Sequence, residues 1–470
     1  MKTKFIACLI AGICCAGVSF AQFVHGTSST YIAPKDELVR EKLDHWQDQK
    51  FGMIVHWGLY SIPGIVESWS ICSEDESWIP RDSTMAYDDY KKWYFNLAKE
   101  FNPVKFDPLQ WAKAGKAAGM NYIVFTTKHH DGYCLFDSKE TDFKVTNGLF
   151  AGNPKANIAK HVFEAFRQEG YMIGAYFSKP DWHSQDYWWD RYATPNRNVN
   201  YRISQHQWKW NRFKEYTFNQ ISELMHNYGS IDILWLDGGW VRPLTEEEQR
   251  IGNRSSQDID MPRIAAMARK AHPGLLMVDR TVHGEYENYQ TPEQNIPPVQ
   301  LPYPWETCMT LGADWGYVPN QSYKPSRKVI HSLIEIVAKG GSLLLGVGPL
   351  PEGLLPDIVV ERLREIGAWT SQNGNAIYAT RSTSHYNDGN VWFTQSKDGK
   401  TLYAMACLQE GESIPTKVEW GSNIPAKGAK MILLHTGKAV KWKMEGDKVV
   451  VTLPKDLPKE LPALAFKFKK

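Results

Sequence analysis

The chain has 470 residues, with 54 Lys and Arg against 52 Asp and Glu, and 43% of its residues are hydrophobic. Once Lys2 and Lys4 of the first 21 residues are set aside, the charges balance. That excludes a nucleic-acid binder working through a broad basic surface and an acidic disordered chain. The length accommodates one large domain, or a large domain with a small one behind it.

Residues 1–21 read as a secretory signal. Lys2 and Lys4 form a positive start, Phe5 to Val18 is apolar and small, and Ser19-Phe20-Ala21 supplies small residues at −3 and −1. The mature chain then starts at Gln22 and is exported, to the periplasm or beyond the cell. An anchoring helix is the bland alternative, but the apolar stretch falls short of the roughly 20 residues a span needs. No later stretch is long and apolar enough to span a bilayer. Four cysteines remain after cleavage, Cys72, Cys134, Cys308 and Cys407. They are widely spaced with no Cys-x-x-Cys pair, which speaks against a zinc ribbon or a thioredoxin-like site. Disulfides are permitted in that compartment but not demanded in a chain this large.

From about residue 50 to 370 short apolar runs alternate with helical segments. The runs are Phe51–Trp57, Tyr122–Thr127, Tyr171–Phe177, Ile231–Leu236, Leu275–Val278 and Leu343–Val347. Asp107-Pro108 caps a helix that Gly119 closes. Ile158, Val162 and Phe166 recur at helical spacing before Gly170, and Val359, Leu363 and Ile366 do so after Pro356-Asp357. Continuous apolar strands between helices predict a parallel sheet covered on both faces. Polar residues cluster just after the strand ends, namely His56, Lys128 to Asp131, Ser178 with Asp181, Asp237 and Arg280. That convergence favours an α/β fold of the distorted (β/α)8-like TIM-barrel type, where all such ends share one mouth, over an open doubly wound sheet. Residues 281–304 show no helical period, so the barrel is expected to be irregular there. Residues 375–470 change texture to short β-rich runs separated by turns such as Asn387-Asp388-Gly389, which predicts a C-terminal antiparallel β-sandwich. Its Trp392, Trp420 and Trp442 could bind glycans or simply pack inward.

Ile231 to Gly239 is the sharpest feature. An apolar strand delivers Asp237 at its C-terminal end, and Gly238-Gly239 leave room for a ligand. A helix N-cap is the bland reading of that aspartate. Trp235 shares its strand face, and an indole beside a carboxylate suits a sugar ring. His129 and His130 follow a second strand. Adjacent histidines on a strand diverge, so they share a metal ion only if the strand has ended, and hydrogen bonding to hydroxyls is the stronger reading. His56, Glu67, Trp69 and Arg280 are further candidates, with a satisfied core histidine, a loop charge and a structural ion pair as bland readings. Glu285, Glu287 and Glu293 lie in the irregular stretch, and one of them can serve as a second carboxylate facing Asp237. Such a pair supplies a general acid with a nucleophile or base.

Taken in order, these motifs resemble glycoside hydrolase family 29, the retaining α-L-fucosidases, over roughly residues 35–375. The motifs are Lys50 to Gly58, Thr127 to Gly132, Tyr176 to Ser178 with Asp181-Trp182, Leu234 to Gly238, Asp279-Arg280, Tyr289 to Glu293, and Trp305 to Cys308. The resemblance implies exo-release of terminal α-L-fucose by double displacement on such a barrel. Asp237 matches the nucleophile, and Glu293 the acid/base of the simpler subgroup, with Glu287 and Glu285 in reserve. His56, Glu67, His129, His130 and Arg280 match positions that hold fucose hydroxyls, Trp235 packs beside the ring, and Trp69 and Tyr176 complete the pocket. Two departures stand out: Ser68 separates Glu67 from Trp69, and Phe177 replaces the second of two tyrosines.

The expected partner is a fucosylated oligosaccharide or glycoconjugate, with no nucleic acid, no metal and no cofactor. Two other readings compete, a metal-dependent hydrolase using His129 and His130, and a catalytically silent fucose-binding protein. The expected organisation is a signal peptide over 1–21, a catalytic barrel over 22–374 and the sandwich over 375–470.

Overall fold

Seven buried runs pair side by side as parallel strands, and their alternating side chains decide what faces the barrel axis. The computed structural model describes residues 28, 30–72, 81, 84–194, 196–252 and 255–470. The expected signal segment lies outside them. The strands are β1 (Phe51–Val55), β2 (Tyr122–Lys128), β3 (Met172–Ser178), β4 (Ile233–Asp237), β5 (Leu276–Asp279), β6 (Glu306–Thr310) and β7 (Ser342–Val347). They run in the order β5-β4-β3-β2-β1-β7-β6.

The gap between β5 and β6 is filled by the stretch that lacks a helical period. Val278 bridges Glu287, Gln290 bridges Trp305, and Glu293 bridges Cys308. Asn288 N–H donates to Met277 O, and Gln294 N–H donates to Cys308 O, each at 2.8 Å. Residues 286–294 thus act as an irregular eighth stave, and the barrel closes as a distorted (β/α)8-like form. Pro292 offers no N–H to a ladder, and Gln294 has φ +52°, so a regular strand cannot form there.

Helices α1 (Glu37–Gln49), α2 (Tyr87–Asn96), α3 (Pro108–Ala118), α4 (Ile158–Gln168), α5 (Gln207–Asn227), α6 (Glu246–Ile251), α7 (Met261–Ala271), α8 (Ser326–Ala338) and α9 (Asp357–Asn373) occupy the connections. The expected signals are used. Asp107 caps α3 by accepting from Leu109 N–H, Pro108 is its first residue, and Gly119 ends it in the left-handed conformation.

Side-chain parity splits the core in two. Met53, Ile123, Phe125, Leu234, Met277, Leu343 and Leu345 face the helices. Ile54, Val124, Tyr176, Ile233, Trp235, Leu276, Val278 and Leu344 face the barrel axis. The side of the interior away from the strand ends is closed by Trp46 of α1, stacked on Tyr289 at 3.9 Å. Continuing the same parity places Ser178, Asp237 and Arg280 on the axis, one layer above Tyr176, Trp235 and Val278.

One barrel strand was not foreseen. β6 lacks an apolar run, because its polar groups are satisfied inside. Glu306 accepts from Tyr122 Oη at 2.7 Å and from Trp235 Nε1 at 3.3 Å, and Thr310 Oγ1 donates to Gly312 O at 2.7 Å.

The C-terminal strands are β8 (Thr380–Asp388), β9 (Val391–Ser396), β10 (Thr401–Cys407), β11 (Lys417–Trp420), β12 (Met431–Leu433), β13 (Lys438–Glu445), β14 (Lys448–Thr452) and β15 (Ala463–Lys469). They make one antiparallel sheet, ordered β11-β14-β13-β12-β15-β10-β9-β8. β13 is its corner. Lys438–Val440 pair with β12, and Lys441–Glu445 pair with β14. The sheet therefore folds over itself, and Trp420 of β11 meets Phe466 and Phe468 of β15 at 5.9 and 6.0 Å. β8 and β15 escaped the sequence reading, being polar along β8 and Lys-interrupted along β15. All four described cysteines are free and buried.

Candidate active site

Asp237 ends β4 on the axis side. The next residue must turn sharply away, and Gly238 does so at φ +86°. A Cβ there would stand 2.3 Å from Pro180 Cδ, so both conformation and space require glycine. Both carboxylate oxygens of Asp237 are engaged. Arg280 Nη1 donates to Oδ1 at 3.0 Å, and Tyr176 Oη donates to Oδ2 at 2.8 Å. His130 Nε2 lies 3.8 Å from Oδ2. Burial alone would raise this carboxyl, but the Arg280 guanidinium and hydrogen bonds from Tyr176 and Gly238 N–H hold it well below the usual range. Asp237 is therefore ionised.

Arg280, two residues beyond Val278, reaches across the mouth. Its Nη2 donates to Glu293 Oε2, and its Nε donates to Thr291 Oγ1 at 3.2 Å. One guanidinium thus bridges Asp237 and Glu293, which bounds their separation to its own width plus two hydrogen bonds. The guanidinium carbon lies 5.0 Å over the Trp235 ring. Trp235 is 2% exposed, and it stacks on Tyr176 at 5.3 Å, so it forms the layer beneath Arg280. Trp315 Nε1 donates to Glu293 Oε1 at 3.2 Å.

Exposure separates the acids. The side chains of Asp237 and Glu293 are 16% and 15% exposed, whereas Glu306 is 0% and Glu287 is 3% exposed. Glu287 is occupied in accepting from Thr281 N–H at 3.0 Å and from His283 Nδ1 at 2.9 Å. Glu285 is exposed in the preceding turn. Of the three glutamates, Glu293 is the one brought to Arg280.

The histidine pair converges because β2 has ended. Its ladder shifts register between Thr126 and Lys128, and the His129 and His130 rings stand 4.3 Å apart. Each Nδ1 is held by a serine: His129 by Ser68, and His130 by Ser178 at 2.7 Å. Burial pushes His129 down to about 4. Burial, then neighbouring charges, also lowers His130 and His56. The mouth is thus lined by neutral imidazoles, which both donate and accept hydrogen bonds. His56 Nδ1 is buried with no hydrogen-bond partner among the described residues, and its ring lies 4.9 Å from Trp315. No group of three His, Cys, Asp or Glu side chains is disposed to hold a metal among the described residues.

Glu67 accepts from Gly316 N–H at 2.9 Å. Burial, then Asp314, pushes it up to about 8 despite the backbone donors of Gly316 and Trp315. It is a neutral acid at pH 7, able to donate as well as accept. Trp69 is half-buried and packs against His130 at 5.0 Å and Trp182 at 5.3 Å. Two contributors escaped the sequence reading. Trp315 follows β6, the unrecognised strand. Ser68, noted only as a departure, clamps His129.

A parallel barrel whose mouth holds two carboxylates on one guanidinium, ringed by neutral hydrogen-bonding groups, defines a glycoside hydrolase of the paired-carboxylate class. A family model described as Alpha-L-fucosidase matches residues 18–375, and the chain belongs to that family. Alpha-L-fucosidase isoenzyme 1 from Paenibacillus thiaminolyticus is 31% identical, with a TM-score of 0.74, over 92% of this chain and 99% of its own. Human plasma alpha-L-fucosidase is 27% identical over 451 residues, 93% of this chain and 91% of its own length. The alpha-fucosidase of Thermotoga maritima is 26% identical with a TM-score of 0.70, over 92% of this chain and 98% of that one.

Proposed function

We propose that this enzyme releases terminal α-L-fucose from fucosylated oligosaccharides or glycoconjugates with net retention, with Asp237 as nucleophile and Glu293 as acid/base. The carrying observation is the bridge from Arg280 to the two open carboxylates at the barrel mouth.

In the first step an Asp237 oxygen bonds to the anomeric carbon while the bond to the leaving oxygen breaks, and Glu293 delivers a proton to that oxygen. In the second step Glu293 takes a proton from water, the water oxygen bonds to the anomeric carbon, and the Asp237 ester bond breaks. Asp237 is suited to attack because its charge is held by Arg280 and Tyr176. The imidazoles of His56, His129 and His130, with neutral Glu67, suit a ring of sugar hydroxyls. Trp235 and Tyr176 act from below, as the floor that sets Arg280 and Asp237, and Trp69 walls the side.

Residues 22–374 are the catalytic unit in this reading and 375–470 an accessory one. The end of α9 at Asn373 and the start of β8 at Thr380 support the division. Export through residues 1–21 is supported by Lys2, Lys4 and the apolar run that follows. Among the described residues no helix is long and apolar enough to cross a membrane.

The test is Asp237→Asn against an aryl α-L-fucoside, with the first-released anomer of the wild-type reaction read by NMR. A rate loss of about a thousandfold or more, ~4 kcal/mol of barrier, is expected, with α-fucose released first. Wild-type activity in the variant, or β-fucose first, overturns the mechanism.

A further inference from the structure

The three C-terminal tryptophans have different fates. Trp420 is buried in the sandwich core. Trp392 stacks on Tyr386, with Lys339 of the barrel 5.7 Å over its ring. Trp442 is half-buried on the corner strand β13, its Nε1 donating to Ala429 O at 2.7 Å. That bond fixes the indole in an open groove of about 910 Å³ between β13 and the 424–430 loop. The groove holds several sugar rings more naturally than a single ion.

Its rim is cationic. Lys427, Lys430, Lys441 and Lys443 all line it and all are exposed. Lys443 is neutralised by Glu445 at 2.7 Å. Lys427, Lys430 and Lys441 have no ion-pair partner among the described residues. Three exposed cations without an acidic partner around one apolar trough leave a local positive potential that suits an anionic ligand. The wider charge distribution points the same way. Residues 375–470 carry 15 Lys and Arg against 9 Asp and Glu, while residues 22–374 carry 37 against 43. The near-neutral total therefore conceals a basic accessory unit attached to an acidic catalytic one.

We infer that the Trp442 groove is a binding site for an acidic polysaccharide, one bearing sulfate or carboxylate groups on its sugars. Trp442 stacks against a sugar face, with Met444 beside it, and the lysines meet the anionic substituents. An indole supplies the flat apolar surface that pyranose C–H faces use, and flexible ammonium groups suit anions whose spacing varies along a chain. The choice of a glycan over other polyanions rests on the activity proposed above. Anchoring such a polymer holds its fucosylated branches near the enzyme and raises their effective concentration at the barrel mouth.

The test uses the full-length chain in affinity gel electrophoresis. The probes are a sulfated galactan, its unsulfated counterpart, a polyuronate, a single-stranded DNA oligonucleotide and vesicles containing anionic lipid. Turnover of an aryl fucoside is measured in parallel. The wild type should be retarded by the sulfated galactan or the polyuronate, not by the unsulfated polymer, with retardation falling steeply as salt rises. The two acidic probes distinguish sulfate from carboxylate recognition. The triple variant Lys427→Glu, Lys430→Glu, Lys441→Glu should lose at least tenfold in affinity, and Trp442→Ala several-fold, both at unchanged aryl-fucoside turnover. Equal retardation of the wild type and the triple variant, or no retardation by either acidic polysaccharide, overturns the proposal. So does stronger binding to the oligonucleotide or the vesicles. Loss of aryl-fucoside turnover in the wild type would instead strike the catalytic reading, since binding is read separately.

Discussion

Arg280→Met is the most revealing perturbation of this site, because one residue holds both mouth carboxylates. Methionine keeps an apolar stem over Trp235 and removes only the fork. Asp237 then loses a unit positive charge whose nitrogen lies 3.0 Å from its oxygen. At an effective dielectric of about 20 and a charge separation of about 4 Å, that interaction is worth about 4 kcal/mol, or about three pKa units. Burial works to raise Asp237, and Arg280 with the Tyr176 bond holds it below the ordinary carboxylate range. With Arg280 gone, burial is left to raise it. The sign follows directly. A depressed carboxyl is ionised throughout the working range, and a raised one must be deprotonated before it can attack. The acid limb of kcat/KM should therefore move upward by two to three pH units, toward the ordinary carboxylate range, so that activity falls at the acid end of the profile and recovers toward neutral pH. The assay is the pH profile of aryl α-L-fucoside hydrolysis. Urea unfolding of the same variant should show a loss of about 3–5 kcal/mol near neutral pH, as for one partner removed from a buried pair. An acid limb unmoved within half a unit would refute the account of what Arg280 does.

Glu67→Gln tests the buried neutral acid. Its folded pKa of about 8 stands above the ordinary 4.5, so the wild-type chain loses stability as pH rises from about 4.5 to 8, by up to about 5 kcal/mol. The glutamine variant does not titrate, so the unfolding free energy of wild type minus variant should fall across that window and be flat outside it. A difference independent of pH would show that Glu67 is ionised. Ser68→Ala removes the group that holds His129 Nδ1, and should lower kcat/KM about tenfold, ~1.4 kcal/mol, with Tm changed little; unchanged kinetics would make Ser68 a spacer. Trp315→Phe keeps the ring beside His56 but withdraws the donor from Glu293 Oε1. It should reduce kcat more than it raises KM in steady-state assays, and a change in KM alone would move Trp315 from positioning the acid/base to binding the sugar.

The barrel was legible in the sequence because its strands are buried on both faces. Runs such as Tyr122–Thr127 and Ile231–Leu236 carry no alternation to confuse, and they end in polar groups that had to converge somewhere. Two places in the barrel where the sequence was hard to read share one cause, polar side chains satisfied by partners far away in the chain. Glu306 looks like a loop residue until Tyr122 and Trp235 are brought to it, so β6 carried no apolar signal. Trp315, which depends on β6 for its position, was lost with it. Ser68 looked like an insertion that spoiled a motif, yet it reaches His129, 61 residues away.

The stretch after Arg280 is the instructive case. Its lack of period marked it as irregular, yet it keeps a strand's parity where it meets Arg280. In a regular strand, side chains at successive residues would alternate between axis and helices. Between β5 and β6 the chain keeps that parity for Thr291 against Arg280 Nε and Glu293 against Arg280 Nη2, while Cys308 N–H is satisfied by Pro292 O at 3.2 Å. Thr291 and Glu293 share one side, and the ladder is kept only at isolated bridges with a positive φ at Gln294. Local propensity cannot favour such a backbone. It is held by the neighbours on either side, by Val278 and Met277 of the β5 stave and by Trp305 and Cys308 of the β6 side. The acid/base candidate is thus placed by tertiary packing alone, whereas Asp237 is placed by the end of a strand. That is why the aspartate could be read from its own neighbours in sequence, while among Glu285, Glu287 and Glu293 it was the family resemblance, and not the local pattern, that pointed to Glu293.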